Sequence, residues 1–433
     1  MNGTLTRRSV LRRGSLLAAM VAIPGLAACR PESSASDGAI SYLNASTGQE
    51  PVLEELNARY RDEAAVRIRV ETIAQDYDQA LRARAQAREM PDLYYPTLGG
   101  TLNDHAPYVD GGWPLDLTDV MDDGWRDSFS PELLAYTTYA AENRWGVEPG
   151  IYSVPFDGNC WMMLCNHDLW RQADLDPEEP PATWDEFVSA LRQLRNVTDQ
   201  PFGMNPGQTY GPEAFALTFG SNLLGVDTVV ATTAGEHPWT SAEWRTVLEL
   251  LQELRDADVL APGSTTWQMP DVEQAFFAQK NLATAFGFSS SIPVGQSLDA
   301  EFDGFGAFLP PPPTSAEMRI QGGKSKSVAI NARSPRVEEI VEYLRWFTAP
   351  EQQRHYARAL PTIPVNPAVM SSPDDLDPRI TPFAEHMDRI MPPEAALLTP
   401  VADALSRGVQ QLLVGDNDAA GILTNVQAAQ DEG

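Results

Sequence analysis

Two cysteines five residues apart, Cys160 and Cys165, stand beside His167 in the stretch GIYSVPFDGNCWMMLCNHDLW (150–170), and these residue types can bind metal, form a disulfide or do redox chemistry. The run between them is short and apolar and is bounded by Pro155, Gly158 and Asn166, which reads as a buried strand. Five strand steps separate the two Cα atoms by roughly 16 Å, whereas a disulfide needs about 7 Å or less. Zinc fits no better, because residues five apart on a strand point to opposite faces and known zinc sites use tighter spacings. The expectation is two small buried thiols in a core strand. Other chemistry-bearing patterns are incomplete. QGGKSKS (321–327) lacks the first glycine of a phosphate loop, since Met318 stands at that position. Gly287-Phe288-Ser289 runs on into Ser290-Ser291, so no nucleophile elbow forms. The five histidines, His105, His167, His237, His355 and His386, show no ligand spacing. No metal and no cofactor is expected. Sixty acidic residues leave paired carboxylates, and with them an exported glycosidase, as an open alternative.

Cys29 is of another kind. Residues 6 to 12 read TRRSVLR, fourteen uncharged residues follow from Ser15 to Ala28, and the run ends in Leu26-Ala27-Ala28-Cys29. A basic start with so short an apolar run is a secretory signal rather than a spanning helix. Arg7 and Arg8 with Val10 and Leu11 resemble a twin-arginine export signal, and LAAC resembles the lipobox of bacterial lipoproteins. Residues 1–28 are thus expected to be a signal peptide, Cys29 the lipidated residue, and 29–38 a flexible tether. The formal charge of −29 becomes −33 when Arg7, Arg8, Arg12 and Arg13 leave with an acid-free leader. Such a surface repels nucleic acid and anionic lipid, so membrane contact is expected through the lipid alone.

Beyond the tether, ten tryptophans and 43% apolar residues supply cores of substance. Strand patterns at 39–46, 66–70 and 91–96 alternate with helical patterns that start at Pro51 and run from Tyr77 to Glu89, which is the signature of a parallel sheet with crossover helices. Thr183 with Glu186, and Thr240 with Glu243, read as capping boxes; 338–347, 400–413 and 418–430 read as helices.

Several segments in order now carry a resemblance. YDQALRARAQAREMPDLYYP, WPLDLTDV (113–120), Tyr152 to Pro155, Cys165-Asn166-His167, Pro181 to Phe187, VEQAFFAQKNLATAFGFSS (272–290) and the segment 322–357 together resemble the extracellular solute-binding proteins of ABC importers, in the sugar-binding branch that includes maltodextrin-binding protein. The resemblance implies an α/β, two-lobed periplasmic-binding-protein fold of the type II-like kind, each lobe a mainly parallel sheet flanked by helices. It places 39–154 plus 328–362 in lobe 1, 155–322 plus 363–433 in lobe 2, and a three-crossing hinge near 154–158, 322–327 and 361–365. It further implies no catalysis, a monomer, a carbohydrate ligand and delivery to ABC transporter permease subunits. Carried over by position, the ligand contacts fall on Asn44, Ser46, Tyr95, Asn159, Gln208, Tyr210, and Phe288 or Ser289. Ser46, Asn159 and Gln208 replace acids common in maltodextrin binders, and the late Trp of that branch is missing, so a sugar other than maltodextrin is implied. A receptor for a cationic solute such as a polyamine remains the alternative within the binding class, which the acidity permits.

Overall fold

The computed structural model describes residues 38–97 and 101–432; the expected leader and Cys29 lie outside them. The first strand, β1 (Ile40–Asn44), is flanked in parallel by β2 (Ile68–Thr72) and β3 (Leu93–Tyr94). Between β1 and β2 runs the helix Glu50–Ala64, opened by Pro51 and burying Val52, Leu53, Leu56 and Tyr60. The helix Tyr77–Ala87 makes the second crossover. A short hairpin of β4 (Thr138–Tyr139) and β5 (Gly150–Ile151) follows.

Thirteen residues form β6 (Val154–Asn166), which contains both cysteines, buried and unbonded. The spacing argument against a disulfide holds, and burial pushes the Cys165 thiol up to about 12 and the Cys160 thiol higher still. Past Cys160, β6 pairs antiparallel with β8 (Leu282–Phe288) and β9 (Phe305–Phe308), and β7 (Gln200–Gly203) lies parallel to β8. Before Cys160, β6 pairs antiparallel with β10 (Gly322–Ile330), whose far end joins β3. The sheet order is therefore β2-β1-β3-β10-β6-β8-β7, a mixed rather than mainly parallel sheet, because the two long strands run against their neighbours. At Asp157 and Gly158, β11 (Ile363–Pro364) pairs with β6 as well.

Helices cover both halves. Thr183 and Glu186 form the expected reciprocal cap for Trp184–Leu194, worth about 1 kcal/mol. The other expected box is one residue off: Ser241, not Thr240, caps Ala242–Asp256 by accepting from the Trp244 N–H. Helices Val337–Phe347, Thr399–Val414 and Ala419–Glu432 lie where the periodicity put them. Among the described residues no helix is long and apolar enough to cross a membrane, and no cluster of three or more His, Cys, Asp or Glu could hold a metal ion.

Candidate functional site

Extended backbone turns every second side chain to the same face, so Asn159 and Trp161 of β6 share one wall of a cavity. Trp161 is the register partner of Phe288 on β8, and their rings stack 5.0 Å apart at 29°. Phe286 closes in on Trp161 at 4.9 Å from the inner side. Tyr210 opens the helix Tyr210–Leu224 and adds a third ring, 6.1 Å from Trp161 and 6.2 Å from Phe288; at 38% exposure it is the most open of the three. Gln208 fixes its position, because Gln208 Oε1 accepts from the Tyr210 hydroxyl (2.6 Å) and from the Met269 N–H (2.7 Å). Burial, with Glu273 nearby, pushes the Tyr210 hydroxyl up to about 12, so it is a donor at every ordinary pH.

The cavity holds about 530 Å³. Thr101, Leu102, Asp104 and Tyr136 bound it from one side, Tyr210 and Glu213 from the other, and Gln321, Gly322 and Lys324 of β10 run along it. Glu213 lies one turn beyond Tyr210 on the same helix face, and its Oε1 accepts from the Leu397 N–H (3.1 Å). Burial raises the Glu213 carboxyl to about 7 against the pull of that N–H, with Asp104 raising and Arg144 lowering it further. Burial likewise lowers Lys324 to about 8, opposed by Asp104 and Asp157, and takes neighbouring His105 down to about 3. Aromatic faces beside carboxylate, amide and ammonium groups suit a polyhydroxylated ligand, whose C–H faces need flat apolar partners and whose hydroxyls need donors and acceptors. A larger cavity of about 990 Å³ lies behind the 390–394 segment, but no aromatic side chain lines it.

Of the residues expected from the sequence, Asn159, Tyr210 and Phe288 line the cavity together. Gln208 stands behind it as the support of Tyr210. Ser289 is buried and donates its N–H to the Cys160 carbonyl. Asn44 is fully buried and spends its amide on Ser46 in a local turn and on Thr72 of the neighbouring strand β2. Tyr95 packs edge-on against Tyr77, and its hydroxyl donates to the Ser325 carbonyl (2.8 Å), one residue from Lys324. Neither Asn44, Ser46 nor Tyr95 lines the cavity. Trp161 and Glu213 were missed. The period of two from Asn159 was the available signal for Trp161, and the i, i+3 step from Tyr210 for Glu213.

Residues 43–354 match the family described as bacterial extracellular solute-binding protein. A 70-residue stretch is 31% identical to the sn-glycerol-3-phosphate-binding periplasmic protein UgpB of Salmonella typhimurium, covering 16% of this chain and 15% of that protein. A 225-residue stretch is 21% identical to the multiple sugar-binding protein of Streptococcus mutans, covering 49% of this chain and 51% of that protein. The chain thus spans well under two thirds of the curated relatives it matches. Over whole folds the agreement is wider. The cyclic α-maltosyl-1,6-maltose binding protein of Arthrobacter globiformis superposes with a TM-score of 0.73 at 21% identity over 91% of this chain and 98% of that one. The solute-binding protein RafE in complex with raffinose gives 0.72 at 17% over 91% and 99%. These likenesses establish the two-lobed α/β fold. With the family pattern spanning 43–354, the chain belongs to the bacterial extracellular solute-binding proteins and is a binding protein, not an enzyme.

Proposed function

We propose that this protein is a lipid-anchored receptor that closes around a carbohydrate and hands it to the permease subunits of an ABC importer. The Trp161–Phe288–Tyr210 cluster carries the reading, since aromatic side chains gathered on one wall of a 530 Å³ space, with Tyr210 the most exposed of them, are what a short oligosaccharide packs against. The relatives named for maltosyl-maltose and raffinose support the same ligand class. The cavity sets Lys324 beside Asp104 and Glu213, so its charge alone does not select a cationic solute, whereas the aromatic cluster favours a sugar. In this reading 39–154 with 328–362 form one lobe, 155–322 with 363–433 the other, and the meeting of β6, β10 and β11 at Asp157 and Gly158 is where they pivot. Cys29 holds the receptor to the membrane by its diacylglycerol.

Calorimetric titration with a panel of maltotriose, raffinose, xylotriose and chitotriose tests the ligand class. Trp161→Ala and Tyr210→Ala should each lose on the order of 1 to 3 kcal/mol of binding, roughly ten- to a hundredfold. If both bind the active sugar like the parent while folding normally, the site is wrong. Detergent-phase partitioning tests the anchor: the parent should enter the detergent phase and Cys29→Ser should not.

A further inference from the structure

Side chains of the first half bridge to the second beside the cavity: the Tyr136 hydroxyl donates to Met391 O (2.7 Å), and Arg144 makes a charged link nearby. Arg144 lies in the connection between β4 and β5, a hairpin bound to the first half through Leu117 N–H to Ile151 O and the Tyr139 hydroxyl on Leu102 O, with the Leu117 segment in turn tied to β10 by Leu115 N–H to Ile330 O. Its guanidinium donates to Thr233 O (2.9 Å) and Thr233 Oγ1 (3.3 Å), and to Ala396 O (2.5 Å). Thr233 ends the helix Val226–Thr233 and is itself tied to Glu394 O (3.0 Å), so both acceptors belong to the second half.

The Ala396 carbonyl and the Leu397 N–H are the two ends of one peptide unit. Arg144 donates to its oxygen, while Glu213 in the ligand cavity accepts from its nitrogen. A cation at the carbonyl and a carboxylate at the N–H polarise the peptide in the same sense, so each bond strengthens the other. Ala396 and Leu397 both line the cavity. The charged groups that surround the relay are Asp104 and Lys324 on the cavity side and Glu394 beside Arg144.

We propose that Arg144 is the positioning residue that clasps the cleft shut, and that the Ala396–Leu397 peptide couples this clasp to Glu213, where a ligand hydroxyl is read. The coupling to ligand rests on the carbohydrate reading above; the clasp itself does not. Ligand engagement and closure then become one event, as a capture receptor requires.

Spin labels at Asp110→Cys and Glu236→Cys, in a full-length Cys29→Ser background, report the separation of the two halves by electron–electron resonance, without sugar and with each of the four sugars. The parent should populate a short separation. Arg144→Gln should lower the ratio of short to long separations about tenfold, equivalent to ~1.4 kcal/mol, and Arg144→Lys should restore part of it. Combining Arg144→Gln with Glu213→Gln should cost no more than Arg144→Gln alone, because the two act on one relay. The same distribution in parent and Arg144→Gln overturns the clasp, as does a parent that never shows the short separation under any condition. If no sugar binds but Arg144→Gln still shifts the sugar-free distribution, the carbohydrate reading fails and the clasp stands.

Discussion

Burial holds two carboxyls near neutrality, Glu213 in the cavity and Glu273 behind it, where Glu273 is 7% exposed and accepts from the Ser291 hydroxyl at 2.6 Å. The folded value of Glu273 is raised from 4.5 to about 7, so its contribution to stability is complete below pH 4.5 and is lost as pH rises through 7. Glu273→Gln keeps an acceptor for Ser291 and stays neutral throughout. The variant should therefore match the parent near pH 4.5 and exceed it at pH 8 by on the order of 1 to 3 kcal/mol. Denaturant titrations at both values check this, and a pH-independent difference would show that burial is not what shifts the group. At this scale the sequence was only partly legible. Asn159, Tyr210 and Phe288 could be carried over because strand ends and helix starts align in order. Tyr95 and Asn44 could not be judged, because what decides their exposure is the placement of Ser325, Thr72 and Tyr77 from distant segments.

Two of the segments that carried the resemblance cap helices, while 272–290 and 322–357 also supply Phe288 and Lys324 to the cavity wall. Asn166 caps the helix His167–Gln172 by accepting from the Asp168 and Leu169 N–H groups, and Thr183 with Glu186 caps the next helix. Caps obey local rules, which is why the helices could be read from the chain; the slip from Ser241 to Thr240 came from two adjacent hydroxyls competing for one role. The mixed sheet escaped notice because strand direction depends on where a long connection returns. Side chains from both halves meet on the crossing strands. Gly323 of β10 sits at φ +147 with the Tyr136 ring 2.5 Å from where a Cβ would stand, a place only glycine fills. Three residues on, Lys326 Nζ lies 3.0 Å from the fully buried Asp157, which also accepts from the Lys326 N–H (2.8 Å) and the Tyr356 hydroxyl (3.0 Å). Lys326→Met would leave that carboxylate buried without a counter-charge, a loss of about 3 kcal/mol. Chemical denaturation measures it; a loss below ~1 kcal/mol would show that the remaining hydrogen bonds alone satisfy Asp157.

Because β6 and β10 run continuously from one half to the other, the two lobes share a sheet as well as a core. A single apolar cluster reaches from Ile40 and Leu53 through Phe156 and Trp161 to Leu191 and Val409. Unfolding one lobe alone would strip the other of both long strands, so the residues from Ala39 onward should melt in one transition, with calorimetric and van't Hoff enthalpies equal. A ligand held between the lobes must then raise the whole transition. At a hundred times its dissociation constant the gain is about 2.7 kcal/mol. Spread over roughly 395 residues at ~2.1 cal/mol/K each, that shifts the midpoint by about 3 °C. Scanning calorimetry with and without the bound sugar is the measurement. Two resolved transitions, or a shift confined to one of two peaks, would show that the lobes fold independently and that the crossing strands are linkers rather than shared core.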